Sequence, residues 1–284
     1  MSLATSLLTQ PSTLYRKDPL FYFKYDSAYL ALWIGLAGAL LAADVQPVFG
    51  AWRVEYLLAL PVVLYLHILA NVCIHNACHG NFPRAINRLV GELLGVLVLT
   101  RYASWEIVHT RHHKYSDDVE KDPHYVIPSF WRFVGMIAVN VEVQLQNMAY
   151  DQFGDTPANR RREKWRSLLS FVTVLPLLAI FYMLLGTELF FFIFVPVQVI
   201  GWIHVAHFNW VTHNALDPSG DYRPVNIDRG VYWIGNRIWF GLYMHGNHHK
   251  RANIFNPLKM EQVVAKRRAK AQARKAAANR GAAP

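Results

Sequence analysis

YLLALPVVLYLHILANVCIHNACH, residues 56–79, decides the fold. From Tyr56 to Ile74 it carries no charge and is long enough to cross a bilayer core as a helix, which takes roughly 17–25 residues. It then runs without a break into HNACH, which sets His75 and His79 at i and i+4 on one helical face. An apolar span that ends in paired imidazoles predicts a protein built in a membrane, with its chemistry at one end.

Three further runs reach spanning length, about 27–43, 167–187 and 189–208, and only Gly186, Thr187 and Glu188 separate the last two, which predicts a tight helical hairpin. The composition agrees: 53% of the chain is hydrophobic and 17% charged. The expected fold is an all-α integral membrane protein with four transmembrane helices, a histidine-rich cap and interfacial helices. Residues 89–100 and 133–141 are apolar but too short to span, and are expected to lie at the interface or re-enter it. The division expected is a membrane domain over 1–261 and a basic tail over 262–284.

The formal charge of +10 does not point to nucleic acid, because the basic residues gather beside the apolar runs, in RRREKWR (160–166) and KRRAKAQARK (266–275). Arg16, Lys17 and Lys24 precede the first run, whereas the 44–55 link and the 186–188 turn hold Arg53 alone. The positive-inside rule therefore places both termini and residues 75–166 in the cytoplasm. The opening residues lack the basic start and apolar core of a cleavable leader. Cys73 and Cys78 form no disulfide framework or metal-binding CxxC, and read as small buried hydrophobes.

Eight of the 13 histidines fall in three clusters: His75 and His79; His109, His112 and His113 in HTRHH; His245, His248 and His249 in HGNHH. Each HxxHH sets three imidazoles on one face, pointing one way, and the topology brings all three clusters to one side of the membrane. Neutral imidazole is a favoured ligand for iron, copper, nickel and zinc. Eight imidazoles exceed the six positions of one octahedral ion, so two metals fit better.

At these residues the chain resembles the membrane fatty acid desaturase superfamily, whose signature is an HxxxH or HxxxxH followed by two HxxHH boxes. The resemblance covers roughly residues 20–258. It implies two iron ions (Fe2+/Fe3+), O2 as co-substrate, and oxidation of an unactivated C–H bond in an acyl chain, foremost desaturation. The stearoyl-CoA desaturase branch adds an Asn-xxx-His element, matched here by Asn209 and His213 in NWVTH, with His207 a competing candidate. Of the nearby acids, Glu106, Asp117, Asp118, Glu120, Asp122, Asp217, Asp221 and Asp228, Asp122 is the first choice to orient a ligating imidazole. Arg101 and Trp105 are candidates to line the route of a substrate headgroup, and His67 and His204, within spans, are either structural or tunnel-lining. His124 is either near the metals or at the surface. The chain has no HPGG haem motif, no GxGxxG and no iron–sulfur cysteine set, so the resemblance implies an external electron donor: a ferredoxin, a rubredoxin or a small haem protein.

Oxygen insertion by the same site, in a lipid or alkane hydroxylase or a carotenoid ketolase, shares nearly all these motifs. A non-catalytic membrane metal-binding or transport protein would want histidines or acids along the spans, and a zinc hydrolase would want an HExxH glutamate. Here the clusters sit at one end, the spans hold almost no acids, and no such glutamate stands in the three boxes.

Overall fold

The computed structural model describes residues 8–214 and 223–281, with side chains as far as Arg274. Its helices are α1 (Pro11–Tyr15), α2 (Phe21–Ala42), α3 (Leu60–Cys78), α4 (Asn87–Leu97), α5 (Tyr102–Lys114), α6 (Phe130–Phe153), α7 (Pro157–Val172), α8 (Val174–Leu189), α9 (Val195–His213), α10 (Val231–Ile238), α11 (His245–Lys250) and α12 (Met260–Gly281). Among the described residues the strand-like pairing is a single bridge between Asn226 and Met244.

Three helical stretches are long and apolar enough to cross a membrane: Phe21–Ala42, Val54–Cys78 and the 57 residues Pro157–His213. Prolines open α3, α7 and α9, where the missing N–H costs nothing, and the Thr156 hydroxyl caps α7 by accepting from the Asn159 N–H. The apolar residues go all the way round these helices, so many face outward: Leu41 is 74% and Leu58 80% exposed. A helix with no polar face has to be covered by protein or by lipid.

The 57-residue stretch is not straight. Gly186 takes φ 75°, ψ 168°, and a π-helical turn, Phe190–Phe194, follows it. Phe181 stacks on Phe194 at 4.5 Å between ring centroids. Thirteen residues of continuous helix would hold them about 20 Å apart. The chain therefore reverses around Gly186, where the sequence predicts the hairpin.

The short apolar segment over 89–100 re-enters the helical body. As α4 it ends with the Leu97 carbonyl accepting from Gln198 Nε2 of α9, 2.9 Å away, and α5 then climbs back towards the histidines. The return is tight: a Cβ on Gly95 would lie 2.4 Å from the Thr100 carbonyl oxygen. The 133–141 segment is part of the 24-residue α6, which runs on well past the apolar stretch. In its polar half Glu142 is buried in a network of charges. There Arg101 donates to Asp26 of α2, to Ser170 of α7 and, at 3.3 Å, to Glu142. Arg166 donates to Glu163 and Glu142 at 2.7 and 3.0 Å, so the network ties α2, α5, α6 and α7 together. The basic tail is helical from Met260, and Arg267 anchors it to the Asn253 carbonyl.

Candidate metal centre

The helix ends bring nine imidazoles together in two groups. His75, His79, His109, His113 and His248 form one, His112, His213, His245 and His249 the other, and within each group the nearest ring nitrogens all lie within 4.8 Å of one another. Each HxxHH box supplies both groups. Residues at i and i+4 are nearly in line along a helix, but an adjacent residue points about 100° away. So His109 and His113 enter the first group while His112 turns to the second, and His245 and His249 enter the second while His248 turns to the first. The triangle expected to point one way is split, and the split is what lets one helix serve two sites. The groups abut where His113 stacks on His249, with ring centroids 4.2 Å apart.

The donor set fits two metal ions. A metal held by imidazole nitrogens at about 2.1 Å sets neighbouring ligands roughly 3 Å apart. Here the Nε2 atoms of His79 and His109 are 2.8 Å apart, those of His113 and His248 3.0 Å, and those of His213 and His245 2.9 Å. The buried Nε2 atoms of His75 and His112 have no hydrogen-bond partner, the state of a nitrogen kept for a ligand.

Carboxylates fix two of the rings. The Nδ1–H of His112 donates to Asp122 Oδ1 at 2.8 Å, and that of His213 to Asp117 Oδ1 at 2.9 Å. Each bond holds the tautomer whose Nε2 is free for a metal. Asp122 also accepts from the Asp117 N–H at 2.7 Å and the His124 N–H at 2.8 Å, so it organises the loop that carries the second carboxylate. Burial, reinforced by neighbouring imidazoles, holds His79, His109, His112, His245, His248 and His249 well below the usual imidazole pKa, and lowers His113 to about 4. These rings are neutral at pH 7, the form that binds metal.

The remaining candidates divide. Asn209 is buried beside the centre and donates to the Val205 carbonyl at 2.9 Å. His207 joins neither group and lies against Tyr232 and Phe130. Asp122 bonds to His112 and Asp117 to His213; the sequence signal for Asp117 is only its place in SDDVEKDPH. Asp228 pairs with Arg237 instead, Glu106 accepts from Ser12, and Asp118 caps the turn at Glu120 and Lys121. Asp217 and Asp221 lie outside the described residues. His124 is buried, with both ring nitrogens unpartnered.

A cavity of about 350 Å³ runs from His75, His109 and His245 down between the helices, past Trp105, Val205 and Phe208. Its size suits a small-molecule or single-chain ligand. Arg101, His67 and His204 also line it.

Membrane-length apolar helices with two polyhistidine groups at one end define a class, the histidine-rich metal-binding proteins of membranes. The family model for fatty acid desaturases matches residues 51–254, and the chain belongs to that family. It is 34% identical over 87 residues to a fatty acid desaturase of Bacillus subtilis (strain 168), a match covering 26% of this chain and 25% of that protein. The chain thus aligns with about a quarter of that relative's length. No solved structure matches it significantly.

Proposed function

We propose that this chain is an O2-dependent oxidoreductase that desaturates a lipid acyl chain at two iron ions held by the nine clustered histidines, with Asn209 close by. The observation that carries the reading is the convergence of nine imidazoles, three of them lining a largely apolar cavity. Bound iron would supply the oxidising power for an unactivated C–H bond, which no side-chain acid or base can attack. The protein's part is placement: the cavity wall at Trp105, Val205 and Phe208 aligns methylene groups beneath the histidines and keeps water out. Asp122 and Asp117 hold the second histidine group in register.

The arrangement proposed in the bilayer is four spans, with the reversal at Gly186 separating the third from the fourth, and both termini and the metal centre cytoplasmic. The basic clusters beside the spans support it. Electrons come from a separate donor. Arg111, Lys114 and Lys121 ring the Tyr115 side chain at the end of α5, a positive surface beside the centre that would steer an acidic redox protein.

The test is mass spectrometry of total lipids from cells producing the chain, with His112→Ala as control. A product lighter by two hydrogens, absent in the variant, is expected. A product heavier by one oxygen would assign hydroxylation or ketolation instead, and lipids identical in both strains across acyl, alkane and carotenoid fractions would refute the reading.

A further inference from the structure

The floor of the cavity is polar, which a chamber for a plain hydrocarbon tail does not require. Ser104, Trp105 and His109 line it from α5, and Arg101, the extended residue just before α5, lines it below them, so the lining leads from floor to metal centre. Helical rise puts Ser104 about 8 Å from the level of His109. Across from them Glu142 and Ser170 line the same wall. The Ser104 hydroxyl is the unexplained group. The residue is 8% exposed and its Oγ has no hydrogen-bond partner, although a buried hydroxyl normally finds one.

Charge narrows what could meet it. Arg101 is matched by Asp26 and Glu142, and Arg166 by Glu142 and Glu163. The arginines are already neutralised, so the floor has no spare positive charge for a carboxylate. A neutral oxygen group can accept from the Ser104 hydroxyl or donate to it without adding charge.

We propose that Ser104 and the adjoining Arg101–Glu142–Ser170 floor form a subsite for a neutral hydroxyl at the buried end of the substrate chain. This rests on the cavity being the substrate chamber. The substrate class is then a hydroxyl-bearing lipid chain, bound hydroxyl-down, with the reacting carbon about 8 Å away along the helix axis.

The test needs no turnover. Purified metal-loaded protein, without electron donor, is equilibrated in detergent with equal amounts of the alkane, the primary alcohol and the carboxylic acid of one chain length. Retained ligand is measured by mass spectrometry after gel filtration. The alcohol should be retained about tenfold over the alkane, the scale of one buried hydrogen bond, and over the acid. Ser104→Ala should remove that preference while melting temperature and metal content stay unchanged, and Ser104→Thr should restore it. Equal retention of alkane and alcohol, preferential retention of the acid, a preference that survives Ser104→Ala, or no retention of any ligand would each overturn the proposal. Because no oxidation is measured, a failure to alter cellular lipids would count against the enzymatic reading without imitating any of these results.

Discussion

Asp122→Ala should empty one metal site and spare the other. The Asp122 carboxylate takes three hydrogen bonds, from His112 Nδ1, the Asp117 N–H and the His124 N–H, at 2.7–2.8 Å. The first orients a ligand of the second histidine group directly. The second sets the backbone of Asp117, whose own carboxylate holds His213, another ligand of that group. No member of the first group bonds to either acid. Loss of one such partner lowers metal affinity about 10–100-fold, which is roughly 1.4–2.7 kcal/mol. Since Asp122→Ala disturbs two of the four ligands in the second group, the upper part of that range applies. Asp117→Asn, which weakens one ligand, should stay nearer tenfold. The assay is metal per chain by elemental mass spectrometry after dialysis against graded chelator. Wild type should lose its metal at high chelator concentration, and Asp122→Ala should fall to half occupancy well before that. Parallel loss of both metals, or a curve indistinguishable from wild type, would refute the assignment of Asp122 to the second site.

Acid should destabilise the metal-free protein. The cap histidines titrate below the ordinary imidazole value, His113 at about 4 and His124 at about 3, so the folded state binds fewer protons than the unfolded chain. Their contribution is present above the unfolded pKa of about 6.5 and is lost as pH falls towards 4. The melting temperature of chelator-treated protein should be level from pH 8 to 7 and drop below 6, and a flat profile down to pH 5 would contradict this. Gly95→Ala drives a Cβ to 2.4 Å from the Thr100 carbonyl oxygen, backbone that cannot swing aside, and should cost about 1–3 kcal/mol in a denaturant or thermal melt. Arg166→Met removes one partner from each of two buried acids, leaving Glu142 to Arg101 and Ser170 and Glu163 to Arg162, and should cost about 1–3 kcal/mol in the same measurement.

The helices were legible from the sequence because lipid and water impose a coarse rule. Uncharged runs of spanning length become long helices, so Phe21–Ala42, Val54–Cys78 and Pro157–His213 stand out. Their ends did not follow. α2 begins at Phe21 rather than near 27, and Asp26, a charge that reads as the edge of a span, is buried against Arg101. α6 likewise runs on to Phe153, and the same network takes in its Glu142, which in sequence is one acid after an apolar run. Hydropathy scores each residue alone, and a buried carboxylate becomes tolerable only with a partner from another helix: residue 101 for Asp26, residue 166 for Glu142.

The histidines were legible for a different reason. Metal ligation demands several copies of one residue type at helical spacing, which chance rarely supplies. The local pattern still did not reveal how they divide. HTRHH taken alone looks like one face, and i, i+3 and i+4 do share a side of a helix. The 100° between neighbours matters only once HGNHH approaches from opposite, so that His248 takes the place beside His113 that His112 has left, and His112 meets His213 and His249. Two sites sharing two helices hold each other in place, since a rotation of α5 that improved one would pull a ligand out of the other. The carboxylate bonds of Asp117 and Asp122 both fall on the second group, and α3 supplies ligands only to the first. One site is therefore held by a helix whose last turn and cap carry two of its candidate ligands, His75 and His79, and the other by a loop that orients two of its rings. That asymmetry is why loop substitutions should strip one metal at a time.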